Sequence, residues 1–278
     1  MLTSLQNPLV KEIRKLHQAK YRRQQQRFLL EGTHLVQEAL LVTYPLDTVC
    51  HTPLWQQRYG NLAASLALHA REVHLVSPAV LAALATTVNP DGVVAVAPQL
   101  SPPCPAPLTG VGILVEALQD PGNLGTMIRT AVAAGANGLW LTTDSVAPDH
   151  PKVLRASAGQ WFHLPLTVVT DLQGTLADWQ QQSVQLVATD ARADLSYWQV
   201  DLTLPTVFLL GNEGAGLSSP CLDRADLRVS IPMQGQVESL NVGVAAALLL
   251  YEAARQRRQR DLGAPELEDG PTLRGDFA

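Results

Sequence analysis

Residues 97–110 read APQLSPPCPAPLTG, five prolines in fourteen residues with no charged side chain. Proline fixes φ and lacks an amide hydrogen, so neither a helix interior nor a central strand can run through such a stretch. It reads as a semi-rigid linker that cuts the chain in two, and each part must then bury a core of its own. The total of 278 residues suits this division, since domains run to roughly 100–200 residues each. We assign residues 1–98 to a first domain, 99–110 to the linker, 111–257 to a second domain, and the polar, acid-rich residues 258–278 to a flexible tail. The apolar share of 46% is enough for two real cores.

Beyond the linker, strand and helix patterns alternate. Residues 111–117, 138–142, 164–169, 184–189, 206–210 and 227–231 read as strands; 124–134, 172–181 and 240–257 read as helices. Such alternation predicts an α/β fold with a mostly parallel sheet and helices on both faces. The first hundred residues predict a smaller α/β unit. Helices are expected over 9–24, 33–42 and 78–85, and short apolar strands over 46–50, 72–76 and 92–97.

The net charge is −5, so the chain as a whole is not basic. Residues 1–27, however, hold seven cations against the single acid Glu12. A local patch of this kind is what contact with nucleic-acid phosphates requires, although a solvated helix face has the same composition. We take Lys11, Arg14, Lys15, Arg22 and Arg23 as candidate RNA-binding residues. The cysteines Cys50, Cys104 and Cys221 are scattered, with no metal-ligand spacing, so no metal is expected and a reducing cytoplasm fits best. The opening residues lack the apolar core of a secretion signal, and the apolar run 242–251 is too short to span a bilayer, so no membrane association is expected.

Three segments carry candidate chemistry. In the first, ALQDPGNLGTMIRTAVAAG (117–135), a strand ends, Asp120-Pro121-Gly122 turns, and Asn123 is expected to cap a helix bearing Arg129 off its apolar stripe. In the second, VFLLGNEGAGLS (207–218), a buried strand enters a turn whose Gly211, Gly214 and Gly216 permit close backbone approach and positive φ around one carboxylate, Glu213. Its spacing is neither the dinucleotide fingerprint nor a phosphate-binding P-loop. In the third, IPMQGQVESLNVGVAAALLL (231–250), Ser239 is expected to cap a long apolar helix, with Asn241 in its first turn.

Together these segments resemble the three motifs of the SpoU (TrmH-like) branch of the SPOUT methyltransferases: DPGNLGTMIRTA from Asp120, LGNEGAGL from Leu210, and IPMxGxVESLNV from Ile231. RFLLEG (27–32) and VNPDGVVAV (88–96) resemble that family's substrate-binding domain. Two departures are mild: Gly243 stands where a hydroxyl residue is common, and Gln160 follows Ser157–Gly159. The resemblance implies a C-terminal trefoil knot, a topology that pattern reasoning alone would reject. It also implies S-adenosylmethionine as cofactor and a homodimer whose site is completed across the two-fold axis, with the apolar final helix in the interface. By position it implies Leu209, Gly211, Ile231, Met233 and Leu240 as cofactor contacts. Asn123, Arg129, Glu213, Ser239 and Asn241 become the catalytic set.

The implied activity is 2′-O-ribose methylation of RNA, ribosomal RNA rather than transfer RNA given the extra N-terminal domain. A 2′-hydroxyl target restricts the substrate to RNA. Arg129 has two candidate roles: base with the help of an RNA phosphate, or a standing cation that stabilises the developing alkoxide. Two other classes compete. An inactive RNA-binding protein of the same fold would have no need of the five-residue catalytic set. A nucleotide-binding α/β enzyme of another kind would carry one of the missing phosphate fingerprints.

Overall fold

The computed structural model describes residues 1–100, 108–235 and 237–263. The central part of the expected linker (101–107, with Cys104) and most of the expected tail (264–278) lie outside the described residues.

The N-terminal unit comprises α1 (Pro8–Lys15), α2 (Ala19–Gln25), β1 (Arg27–Glu31), α3 (Thr33–Leu41), β2 (Leu46–His51), α4 (Pro53–Arg58), α5 (Gly60–His69), β3 (Ala70–Leu75), α6 (Pro78–Leu84) and β4 (Val93–Pro98). Its four strands pair in the order β1-β4-β2-β3, parallel only between β2 and β3. Successive residues of a strand face opposite sides, and both faces are covered. Phe28, Leu30, Val93 and Ala95 pack under α3 and α5, whereas Leu29, Val94 and Val96 pack under α1 and α6.

Two features differ from the sequence reading. The strand β1 was not expected; its apolar run, residues 28–30, is only three residues long, too short for periodicity to resolve. The single helix expected over 9–24 is two helices. Arg22 of α2 reaches back to the break, donating from Nη1 to the carbonyls of Leu16 and His17, both at 3.2 Å. Those carbonyls are the ones a helix end leaves without partners.

The C-terminal unit comprises β5 (Val111–Val115), α7 (Pro121–Ala133), β6 (Gly138–Thr142), α8 (Pro151–Ala156), β7 (Leu166–Val169), α9 (Leu172–Gln181), β8 (Gln185–Thr189), β9 (Thr206–Leu210), α10 (Ser219–Arg224), β10 (Leu227–Val229) and α11 (Val242–Asp261). The six strands form one sheet, ordered β10-β8-β9-β5-β6-β7, and every pairing is parallel. This is the mostly parallel α/β architecture expected. One core cluster joins Ile113, Val115 and Phe208 to Leu124, Met127 and Ile128 of α7 and Ala246, Leu249 and Leu250 of α11. The opposite face joins Leu114, Trp140 and Leu209 to Leu176 and Trp179 of α9 and Cys221 of α10. The last helix runs to Asp261, so the first residues of the expected tail are helical. No helix among the described residues is long and apolar enough to cross a membrane.

The two units are packed together. Leu154, Trp161 and Phe162 of the second enter the core of the first. Arg22 and Asp149 form an ion pair at 3.0 Å with side chains 1% and 7% exposed. Arg155 reaches Glu31 at 3.2 Å, and His163 reaches Glu38 at 3.0 Å.

Candidate active site

In a parallel sheet, ligands bind at the carboxyl ends of the strands. There the three segments singled out in the sequence meet. Asp120, not Asn123, caps α7: its Oδ1 accepts from the backbone amides of Gly122 at 2.6 Å and Asn123 at 2.9 Å. Pro121 occupies the first helical position, where a missing amide hydrogen costs nothing. Asn123 is thereby released from capping. Its Nδ2 donates to Glu213 Oε1 at 3.1 Å, and its Oδ1 accepts from Asn241 Nδ2 at 2.9 Å.

Asn241, not Ser239, caps α11, accepting from the amides of Gly243 at 2.9 Å and Val244 at 3.3 Å. Glu213, Asn123 and Asn241 therefore form one chain of hydrogen bonds, with one member from each motif. Burial alone would raise the Glu213 pKa. Hydrogen bonds from its own amide, from the Asn123 side chain and from the amides of Asp120 and Gln119 outweigh burial and hold the carboxyl below its ordinary value. Glu213 is thus an acceptor at neutral pH.

The glycine-rich loop is closed on itself. Asn212 and Gly216 exchange both backbone hydrogen bonds at 3.0 Å, and Asn212 Oδ1 accepts from the amides of Gly214 at 2.9 Å and Ala215 at 3.1 Å. A side chain at Gly211 would lie 2.0 Å from the carbonyl carbon of Gly216, so the loop's own return requires that glycine. Of the loop's three glycines only Gly216 has a positive φ, +71°. The loop is tied to β5 by the Ser218 amide donating to Glu116 Oε2 at 2.8 Å.

Beside this loop lies a cavity of about 130 Å³ lined by Thr189, Val229, Ile231, Met233, Leu240 and their neighbours. An adjoining cleft of about 890 Å³ runs along Gly211, Glu213, Ser239 and Leu240. Four of the five expected cofactor contacts line one or both. Leu209 lines neither: it points to the α9 face of the sheet and is fully buried there, while Leu210 faces the cleft. Sequence reasoning missed Thr189, which ends β8, and Asp190 and Ala191 just beyond it, all of which line both spaces. Their signal was their place at a strand's carboxyl end.

Arg129 is exposed on α7, and among the described residues it has no hydrogen bond or ion pair to the Glu213–Asn123–Asn241 chain. Of the five expected catalytic residues, Glu213 and Ser239 line the cleft, Asn123 and Asn241 join Glu213 through hydrogen bonds, and Arg129 is not bonded to that network among the described residues.

Among the expected RNA contacts, Lys11, Arg14 and Arg23 are exposed, and Lys15 is half-exposed beside Glu12 at 2.6 Å. Arg22 is a correction. It is buried, and its guanidinium is consumed by Asp149 and the end of α1, so it presents no charge to a ligand. No group of three or more possible metal ligands occurs among the described residues.

This arrangement is that of the SPOUT methyltransferases, whose structures the chain matches over nearly its whole length. An S-adenosylmethionine-bound rRNA methyltransferase from Sinorhizobium meliloti superposes with a TM-score of 0.82 and 34% identity, covering 91% of this chain and 97% of that one. Within that class the SpoU rRNA methylase family matches residues 110–251, and an MRM3-like substrate binding domain matches residues 7–95. The chain belongs to the SpoU family. Among its relatives, an uncharacterized tRNA/rRNA methyltransferase of Synechocystis is 47% identical over 92% of this chain and 94% of its own length. The 23S rRNA (guanosine(2553)-2′-O)-methyltransferase RlmP of Bacillus subtilis is 32% identical over 90% of this chain and 97% of its own.

Proposed function

We propose that this protein transfers a methyl group from S-adenosylmethionine to a ribose 2′-hydroxyl of ribosomal RNA, working as a cytoplasmic homodimer. The observation that carries the reading is the hydrogen-bonded chain Glu213–Asn123–Asn241, which ties all three motifs together beside an apolar cavity at the sheet's carboxyl edge. The cavity's aliphatic lining from Ile231, Met233 and Leu240 suits a nucleoside base and thioether chain, and the adjoining cleft has room for the rest of the donor and for a ribose. When bound, S-adenosylmethionine supplies an electrophilic methyl group on a sulfonium.

The residues around it have separable tasks. Ionised Glu213 orients the Asn123 amide, and Asn241 fixes Asn123 from the other side, so the ribose meets a preorganised polar wall. Ser239 lines the same cleft and offers a hydroxyl to the sugar. Arg129 is assigned to the incoming 2′-oxygen. An arginine ordinarily stays charged, so it would stabilise the negative charge that develops on the 2′-oxygen as its proton passes to an RNA phosphate or water, leaving that oxygen ready for the methyl group the donor would supply.

In this reading a second copy completes the site, since among the described residues Arg129 makes no bond to its own chain's network. An apolar stripe of Val244, Leu248 and Tyr251 stands 37–54% exposed on α11, beside Tyr197 and Trp198. That stripe is the face a second copy would cover in this reading. The knot threading the loops after β9 and β10 belongs to the same reading, as does the domain division at residues 99–110. Lys11, Arg14, Lys15 and Arg23 would hold RNA phosphates.

The test is to map 2′-O-methyl positions in total RNA from cells with and without this protein. The expected result is the loss of one site in ribosomal RNA. A site lost from transfer RNA would redirect the substrate, and no lost site would refute the reading.

A further inference from the structure

We propose that the peptide of Ala117, held in the left-handed region by Thr142 and Asn212, is a clasp that fixes the glycine-rich loop against α7, which makes Thr142 and Asn212 positioning residues for methyl transfer. The proposal rests on the methyltransferase reading above. Ala117 has a φ of 53°, a conformation that costs an L-residue energy and persists only where its surroundings over-determine it.

The surroundings are specific. The Ala117 amide donates to Thr142 Oγ1 at 2.8 Å, from the buried end of β6. The Ala117 carbonyl accepts from Asn212 Nδ2 at 2.8 Å and from Gln119 Nε2 at 2.9 Å. The next amide, Leu118, donates to Ser145 Oγ at 3.0 Å.

Asn212 thus has two jobs. Its amide oxygen closes the glycine-rich loop, and its amide nitrogen ties that loop to Ala117. Three residues beyond Ala117, Asp120 caps α7 and sets the position of Asn123. The strained Ala117 peptide therefore adds a backbone link, beside the Glu213–Asn123 hydrogen bond, between the loop lining the donor cleft and the helix that carries Asn123 and Arg129. In-line methyl transfer depends on the separation of those two elements, and a displacement of about 1 Å is enough to cost on the order of 10²-fold in rate.

Two variants isolate the clasp. Thr142→Val keeps the branched shape and removes the acceptor for the Ala117 amide, and Thr142→Ser restores it. Asn212→Asp keeps the acceptor that closes the loop and removes the donor to Ala117; because it lies in a surface loop, it serves if the buried Thr142→Val variant does not fold. Calorimetry with S-adenosylmethionine and steady-state methylation are run on each folded variant, with wild-type protein first.

The expected result is a kcat lowered about tenfold or more for Thr142→Val and Asn212→Asp, S-adenosylmethionine affinity within about threefold of wild type, and kcat recovered in Thr142→Ser. A kcat per folded site within about twofold of wild type in either disruptive variant, or affinity that falls in step with kcat, would overturn the clasp. Wild-type protein without donor binding or methylation would overturn the enzyme reading and the clasp with it.

Discussion

The molecule contains two polar networks that each join segments more than a hundred residues apart, and they differ in what surrounds them. At the junction of the two units, Arg22 and Asp149 are 127 residues apart in sequence. They are almost wholly buried, and Gln99 adds a further hydrogen bond to Asp149 at 2.5 Å. At the sheet's edge, Asn123 and Asn241 are 118 residues apart and their contact is exposed. Buried charges hold each other strongly because nothing else can solvate them, so they fix geometry and are closed to ligands. Exposed amides bind one another weakly and can accept a ligand in exchange. The same contrast separates the two arginines: Arg22 is held by Asp149 and two backbone carbonyls, while Arg129 has no partner that the described residues supply.

The largest effect expected from breaking this contrast falls on the free arginine. Arg129→Ala should lower kcat about 10³-fold or more while S-adenosylmethionine binding by calorimetry stays near wild type. Equal loss of both would move Arg129 from the reaction to the cofactor site. At the junction, Asp149→Ala should lower unfolding stability by about 3 kcal/mol, because it strands a buried guanidinium. Urea unfolding measures this, and adding Arg22→Met should recover most of the loss. An Asp149→Ala protein of unchanged stability would show that the junction is not closed to water.

A smaller effect is expected at the exposed network. Asn241→Ala removes the cap of α11 and should cost about 1 kcal/mol in the same unfolding experiment, yet lower kcat by more than that loss explains. The smallest effects belong to the surface cations. Lys11→Gln and Arg14→Gln should each flatten the slope of log affinity for RNA against log salt by about one, whereas Arg22→Met should leave the slope unchanged.

The contrast also shows what the sequence could and could not display. Residue types at the three motifs were legible: the structure joins Asn123, Glu213 and Asn241 by hydrogen bonds and places Glu213 and Ser239 on one cleft. Their local roles were misplaced by two or three residues, because Asp, Asn and Ser all cap helices well. Pro121 was the available clue for Asp120, since proline favours the first helical turn. Arg22 could not be told from its neighbours by composition. Its buried charge is paired with Asp149, a residue of the other unit that the local sequence does not reveal. The side chain of Leu209 faces away from the cleft and that of Leu210 toward it, because alternation along β9 sets the facing, and a run of apolar residues hides that alternation.

The central claim is that a sugar oxygen is the methyl acceptor. It is tested most directly by incubating ribosomal RNA with labelled S-adenosylmethionine and the wild-type protein, then hydrolysing the product with alkali. A 2′-O-methyl group blocks cleavage at its own nucleotide, so the account predicts label in alkali-resistant dinucleotides. Label in mononucleotides, which would place the methyl group on a base, would contradict it.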